Sequence, residues 1–329
     1  MKETLSKLYE HQALDQTEAY NVLLQIAVND FNESEVASLL SVYLMRYPTL
    51  EEMIGFREAM MHLCTKVDLQ GADVIDIVGT GGDGKNTFNI STVSAFVVAG
   101  AGIKVAKHGN YSASSISGSS NLLEYLGYTF SSDCTLLRRQ LESANICFLH
   151  APLFHPAMKN LSAIRKKLGV RTFFNLLGPI TNPASPAKQL LGVSHLELMR
   201  MYHYLLQETS LQYKIIHSTD GYDEISLTCP FKILSNRTEQ LIDPDEIGFE
   251  QIHSHDLNAG NTIADAASIF LKILQGKGTY AQTQVTIVNS GVAIHCAYPD
   301  KSLYECFEMA KESLQSGKAY QSFKKIINN

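Results

Sequence analysis

No stretch of the 329 residues reaches a membrane-spanning length without charge. The first twenty residues, MKETLSKLYEHQALDQTEAY, hold no apolar h-region. The six cysteines, Cys64, Cys134, Cys147, Cys229, Cys296 and Cys306, are scattered with no CxxC pair. Neither a disulfide framework nor a zinc site is therefore indicated. Basic excess is missing too: 27 Lys and Arg against 33 Asp and Glu give a formal charge of −6. That sign argues against a general nucleic-acid binder. Internal repeats and low-complexity tracts are absent. What remains is an ordinary globular composition, 45% hydrophobic and 18% charged, long enough for one large core or two. The expectation is a soluble cytoplasmic protein with no membrane or nucleic-acid partner.

Residues 1–66 read as helices only. Three apparent helix starts carry a capping-box pattern: Asp15-x-x-Glu18, Asn32-x-x-Glu35 and Thr49-x-x-Glu52. Apolar positions in EVASLLSVYLMR and MIGFREAMMHLC recur at helical spacing. This part carries no catalytic pattern and suits packing or association. From about residue 72 the pattern changes to short β-rich runs: DVIDIV, GIKVAKH, NICFLHA, YKIIHS and VTIVNSG. Helical stretches between several of them predict an α/β fold, a mostly parallel central sheet flanked by helices, beside a smaller all-helical domain. HPAMKNLSAIRKKLG predicts another helix, with Pro156 in its first turn and Gly169 as its stop. The predicted division is 1–66, with a returning helical segment at about 152–182, against 67–151 and 183–329. Linkers near 66–72 and 178–186 are read as hinges.

The stretch GTGGDGKNTFNIST, residues 79–92, follows the strand VIDIV and precedes the helical STVSAFVVAGAG. Gly79-Thr-Gly81-Gly-Asp-Gly84 satisfies the dinucleotide-binding GxGxxG. That fingerprint also needs an acid about 20 residues on, and the next strand ends in AKHGN, with Lys107 in that region. Gly79-xxxx-Gly84-Lys85 is one step from a Walker A loop, but Asn86 stands where a magnesium-binding hydroxyl is required. Asp83 would repel a phosphate directly above it. Both familiar readings fail on a named residue. Glycines still let backbone N–H groups approach an anion, and the helix start adds its dipole and the side chains of Asn89, Ser91 and Thr92. A tight strand-to-helix turn is the plainer alternative.

AKHGNYSASSISGSS, residues 106–120, combines Lys107, His108 and Asn110 with six serines between a strand and the helix NLLEYLG. Two strand exits of this kind would face one crevice. A lysine with many hydroxyls suits several phosphates. In DGYDEIS, Asp223 and Glu224 lie side by side after the strand YKIIHS. Such a pair suits Mg²⁺, which uses one or two carboxylates plus substrate phosphates, or is simply solvated, as the Asp243-Pro-Asp245-Glu246 cluster is read to be.

With these elements in order along essentially the whole chain, the sequence resembles the anthranilate phosphoribosyltransferases of tryptophan biosynthesis. GTGGDG with TFNIST is similar to the family's diphosphate loop, and KHGN with SSxSGSS to its second phosphoribosyl loop. HPAMK, IRKKLGVRTFFNLLGPITNP and DGYDEIS follow in the family's order.

The resemblance implies transfer of phosphoribosyl from 5-phosphoribosyl 1-diphosphate to anthranilate, with Mg²⁺ as cofactor, two ions per chain, in a homodimer formed through the helical part. Carried over, Gly79, Gly82, Asp83 and Thr87 line the phosphoribosyl diphosphate site, and Asn89, Ile90, Ser91 and Thr92 hold the diphosphate. Lys107, His108, Gly109, Asn110, Tyr111, Ser112, Ala113, Ser114, Ser115 and Ser119 line the ribose-phosphate side. Gly79, Asn110 and Arg165 contact anthranilate, and Ser91, Asp223 and Glu224 bind metal. No acid–base catalyst is assigned, and His108 is read as orienting backbone. The chain departs from the family pattern at Tyr111, in place of the arginine of HGNR, at Ile116, in place of a lysine, and at Asn121, in place of an aspartate. The competing readings are a pyrimidine-type nucleoside phosphorylase and a non-catalytic paralogue that binds nucleic acid.

Overall fold

The computed structural model describes residues 1–111 and 117–327, with Asn160 described by its backbone alone. The chain opens with α1 (Lys2–Tyr9), α2 (Gln16–Ala27), α3 (Glu33–Met45) and α4 (Leu50–Leu63). It continues through β1 (Val74–Gly79), α5 (Ile90–Gly100), β2 (Lys104–Gly109), α6 (Ser119–Tyr125), α7 (Cys134–Ala144) and β3 (Ile146–His150). Three helices follow: α8 (Ala151–Phe154), α9 (Lys159–Leu168) and α10 (Phe174–Leu177). The rest comprises β4 (Lys188–Gly192), α11 (Leu196–Gln207), β5 (Gln212–Ser218), β6 (Phe231–Ser235), β7 (Glu239–Ile242), α12 (Ile263–Leu274), α13 (Tyr280–Ala297), α14 (Leu303–Gln315) and α15 (Lys318–Ile327). Two compact units result, Met1–Val67 with Ala151–Ser185, and Asp68–His150 with Pro186–Asn329. Among the described residues no helix is long and apolar enough to cross a membrane.

The first unit is all helical. The three predicted capping boxes form at Asp15, Asn32 and Thr49, each starting a helix. Glu52, the capping acid of α4, is fully buried and joins the helices. It accepts from the Leu14 amide at 3.0 Å, the Tyr43 hydroxyl at 2.9 Å and Arg46 at 2.7 Å. Burial alone would raise its pKa, but the Arg46 and amide bonds hold it below the usual range. Gly169 ends α9 in the left-handed conformation, at φ +69°.

The second unit is built on a seven-stranded sheet ordered β3-β2-β1-β4-β5-β6-β7. The first five strands are parallel, and β6 and β7 add antiparallel at one edge. This is the expected mostly parallel α/β fold. From β1 the chain runs outward through β2 and β3, then crosses to β4 on the other side of β1. The direction of winding therefore switches at β1, and the crevice beyond its carboxyl end is where such sheets bind ligands. Helix α5 starts from that crevice and is buried along nearly its whole length.

One predicted strand is a helix. VTIVNSG lies inside α13, and all seven of its residues are buried. A run buried on every side has no polar face to reveal the helical period, so its β-rich composition misleads. The helix start is nevertheless encoded, in a Thr279–Gln282 capping box.

Candidate active site

The glycine loop leaves β1 and enters α5. Gly81, Gly82 and Gly84 hold φ of +62°, +74° and +71°, a region that costs an L side chain roughly 1–2 kcal/mol. Gly79 is glycine for another reason. A Cβ there would lie 2.4 Å from Asp223 Oδ2. On the neighbouring strand, a Cβ on Gly192 would lie 1.6 Å from the Asp223 carbonyl oxygen. The two strand ends thus leave room for the turn that carries Asp223. The outer side of the loop is fixed by an antiparallel bridge from Thr87 to Asn258 and by Asn86 Nδ2 donating to the Gly260 carbonyl at 2.8 Å. Asn89 precedes α5, and its Nδ2 donates to the Ser117 carbonyl at 2.8 Å while its buried Oδ1 has no partner among the described residues. Ile90 and Thr92 turn their side chains into the interior.

Asp223 and Glu224 reach the same place from the exit of β5. The Asp223 Oδ2 accepts from the Gly81 amide at 2.6 Å, and Glu224 Oε1 accepts from the Ser91 amide at 2.8 Å. Their turn is pinned from behind by Asn289 of α13, which accepts from the Ile225 amide at 3.0 Å and donates to the Ile225 carbonyl at 2.8 Å. The Ser218 hydroxyl donates to the Glu224 carbonyl at 2.8 Å. Leu227, buried at the end of the turn, takes a left-handed φ of +59°, a strained choice for a bulky residue.

The electrostatics are those of crowded acids. Burial, then the charge of Asp83, holds Asp223 at about 7. Loss of solvation, then the charge of Asp223, pushes Glu224 well above the carboxylate range. One buried cation faces them. Lys107 donates to the Ile77 carbonyl and, at 3.4 Å, to Ser91 Oγ. Burial pulls the Lys107 pKa down, against the pull of Asp76, Glu224 and Asp223. A cavity of about 10 Å³ touches Gly79, Ser91, Asp223, Glu224 and Asn289, room for about one water. Among the described residues no three His, Cys, Asp or Glu side chains close a metal site unaided. A cation held by Asp223 and Glu224 would take its other oxygens from ligand or water, as magnesium does.

The second loop begins at the end of β2. The buried His108 donates its backbone N–H to Asp76 Oδ1 at 3.1 Å. Gly109 admits Ser119 of α6, whose Oγ would be 2.5 Å from a Cβ there. Asn110 Oδ1 accepts from the Tyr111 amide at 2.8 Å. Tyr111 turns toward α6 and β3: its hydroxyl donates to Glu124 Oε1 at 2.7 Å, and its ring meets His150 edge-on at 4.7 Å. The sequence-predicted contacts Ser112, Ala113, Ser114 and Ser115, and the departure at Ile116, lie outside the described residues. Asp76 and Asn289 escape the sequence reading. An acid inside the buried run VIDIV is a usable signal for the first, whereas the second is hidden in the run taken for a strand.

Arg165 belongs to the first unit. It lies in the last turns of α9, where its Nη2 donates to Asn175 Oδ1 at 2.6 Å and its guanidinium is 5.8 Å from the Phe174 ring centroid. Among the described residues its buried Nε has no hydrogen-bond partner. Burial lowers its pKa, and no carboxylate offsets that effect.

Comparison with known proteins agrees with this geometry. The family model described as the glycosyl transferase family a/b domain matches residues 71–320, and the helical bundle domain of the same family matches residues 2–64. The anthranilate phosphoribosyltransferase of Cytophaga hutchinsonii is 51% identical over 327 residues, 99% of this chain and all of the relative. That of Christiangramia forsetii is 52% identical over 326 residues, 99% and 98% of the two chains. Among solved structures, anthranilate phosphoribosyltransferase from Thermus thermophilus superposes with a TM-score of 0.91 at 31% identity, covering 98% of each chain. The Saccharomyces cerevisiae enzyme in complex with PRPP and Mg gives 0.90 at 28% identity, covering 98% of this chain and 96% of that one. Sheet order, glycine loop, acid pair and whole-length identity converge, and the chain belongs to the anthranilate phosphoribosyltransferase family.

Proposed function

We propose that this chain transfers the phosphoribosyl group of 5-phosphoribosyl 1-diphosphate to the amine of anthranilate, releasing diphosphate, in tryptophan biosynthesis. The observation that carries the reading is the stitching of the acid pair to the glycine loop. Asp223 is bound to the Gly81 amide and Glu224 to the Ser91 amide, beside a buried lysine. Two acids pushed toward protonation by burial and mutual repulsion suit a hard cation, and Mg²⁺ fits their oxygen chemistry. When bound there, magnesium supplies Lewis-acid stabilisation of charge on a leaving diphosphate. We assign its protein contacts to Asp223, Glu224 and Ser91, and the number of ions to two.

The chain's own groups do the rest. Loop amides between Gly79 and Thr92, with Asn89 and Ser91, bind diphosphate oxygens and meet the negative charge that grows as the anomeric C–O bond breaks. Lys107, Asn110 and the loop that follows hold the 5-phosphate end. Asp83, whose charge bears on Asp223, is assigned to the metal or a ribose hydroxyl and not to a phosphate directly above the loop. The anthranilate amine attacks the oxocarbenium-like carbon from the face opposite diphosphate. Because an aniline nitrogen is unprotonated at neutral pH, no general base is needed before attack and none is assigned; the proton that the nitrogen sheds once the C–N bond has formed passes to the departing diphosphate or to water. Orientation supplies much of the acceleration. Gly79 and Asn110 are the assigned anthranilate contacts of the second unit. In the first unit, the unpartnered Arg165 Nε supports pairing of that guanidinium with a carboxylate.

Loss of anthranilate fluorescence tests the reaction. It requires both 5-phosphoribosyl 1-diphosphate and Mg²⁺ and stops with EDTA. A folded sample that leaves anthranilate untouched but cleaves thymidine with phosphate would replace this reading with a phosphorylase. We further propose a cytoplasmic homodimer through the helical unit, supported by the exposed apolar side chains of Tyr9, Val28, Leu44, Met45 and Tyr47. Light scattering at the monomer mass would reject it.

A further inference from the structure

Lys85 occupies the glycine loop two residues beyond Asp83, yet its ammonium is turned onto an aromatic ring, 4.6 Å from the centroid of Tyr222. Tyr222 is 4% exposed and immediately precedes Asp223. Its backbone is held by the Ser218 amide, which donates to the Tyr222 carbonyl at 3.2 Å. The amide of Lys85 itself donates to Asp83 Oδ1 at 2.9 Å. The glycine loop and the acid turn are therefore joined at three points: Gly81 to Asp223, Ser91 to Glu224, and Lys85 to Tyr222. The first two use the groups assigned to the metal and the diphosphate, and the third does not.

The chemistry of the third point is informative. Asp83, Asp220, Asp223 and Glu224 crowd this region, and the charges of Asp220 and Asp83 both reach Tyr222. A lysine paired directly with Asp223 or Glu224 would occupy the oxygens a cation needs. A lysine lodged over a ring lends positive charge to the cluster and leaves those oxygens available.

We infer that Lys85 and Tyr222 form a positioning pair. Their cation–π contact sets the spacing between the glycine loop and the acid turn, and so tunes affinity for magnesium-bound 5-phosphoribosyl 1-diphosphate without touching the reacting atoms. The inference rests on the proposed transfer reaction and adds a determinant to it.

The test is a set of four variants, K85A, K85R, Y222L and K85A/Y222L, assayed for turnover and titrated calorimetrically with Mg²⁺ and 5-phosphoribosyl 1-diphosphate. For K85A, the KM for 5-phosphoribosyl 1-diphosphate and the half-saturating Mg²⁺ both rise about three- to tenfold. Its kcat changes less than twofold and its KM for anthranilate stays unchanged. K85R restores the wild-type values, because guanidinium also stacks on a ring. The double variant is no worse than K85A. If Y222L does not fold, the contrast of K85A with K85R decides. Values for K85A equal to wild type overturn the pair, as do effects that multiply in the double variant, or a K85R as impaired as K85A. Wild-type protein that neither binds 5-phosphoribosyl 1-diphosphate nor consumes anthranilate overturns the reaction itself, a different result from a silent K85A in an active enzyme.

Discussion

Among the described residues Arg165 is a cation without an anion. One nitrogen satisfies Asn175, the plane faces Phe174, and Nε has no partner. A partly buried guanidinium with a buried, unpaired Nε costs stability until a carboxylate arrives. Arg165→Lys keeps the charge and loses the planar fork, which removes a charge-assisted interaction of about 1.5–3 kcal/mol. Steady-state kinetics should show the KM for anthranilate raised about ten- to hundredfold, with the KM for 5-phosphoribosyl 1-diphosphate little changed. Equal KM values for anthranilate would place its carboxylate elsewhere. At this scale the sequence is legible unevenly. Asp83 reads in the sequence as a loop acid set against phosphate, and in the structure its charge bears on the buried Asp223. Tyr111, carried over as a ligand contact, has its hydroxyl and ring engaged with Glu124 and His150. Nothing in residues 106–120 could disclose those partners, because they lie on other elements.

Helix α13 shows what an element can do for a site without supplying any of its assigned substrate or metal contacts. Asn289 bonds both polar backbone groups of Ile225 from the centre of that helix and keeps the turn of Asp223 and Glu224 against the glycine loop. Asn289→Ala leaves a buried N–H and C=O unpaired, at a cost of roughly 1–3 kcal/mol for each group not re-solvated. Thermal unfolding should shift downward accordingly, and the half-saturating Mg²⁺ should rise. An unchanged melting temperature together with unchanged Mg²⁺ dependence would show that the turn stands on its own.

Elements bounded by caps or turn residues are legible in the sequence: the three capped helices of the first unit, and the buried β-rich runs of β1, β2, β3 and β5. The short strands β4, β6 and β7 carry no comparable signal, and the buried run in α13 carries a misleading one. The same limit explains why Asp223 and Glu224 are visible as a pair but their support from Asn289 is not. Pairing across 64 residues is a property of the fold.

At the scale of the molecule, the sheet order brings the pieces of the second unit together. Strand β1 stands where the winding reverses, so the exits of β1, β2 and β5, separated along the chain by β3 and β4, open at one end of the sheet. That arrangement gathers a glycine loop and a buried lysine with two carboxylates that lie more than a hundred residues further along the sequence. The measurement that tests this assembly most directly is the Mg²⁺ dependence of anthranilate consumption in wild-type protein and in the Asp223→Asn, Glu224→Gln double variant. If the acid pair holds the metal, the double variant loses about a hundredfold or more in kcat/KM and no longer saturates at the wild-type Mg²⁺ concentration. A folded double variant with the wild-type rate and the wild-type Mg²⁺ curve would contradict the assignment of the metal to this turn, and with it the role given to the crevice.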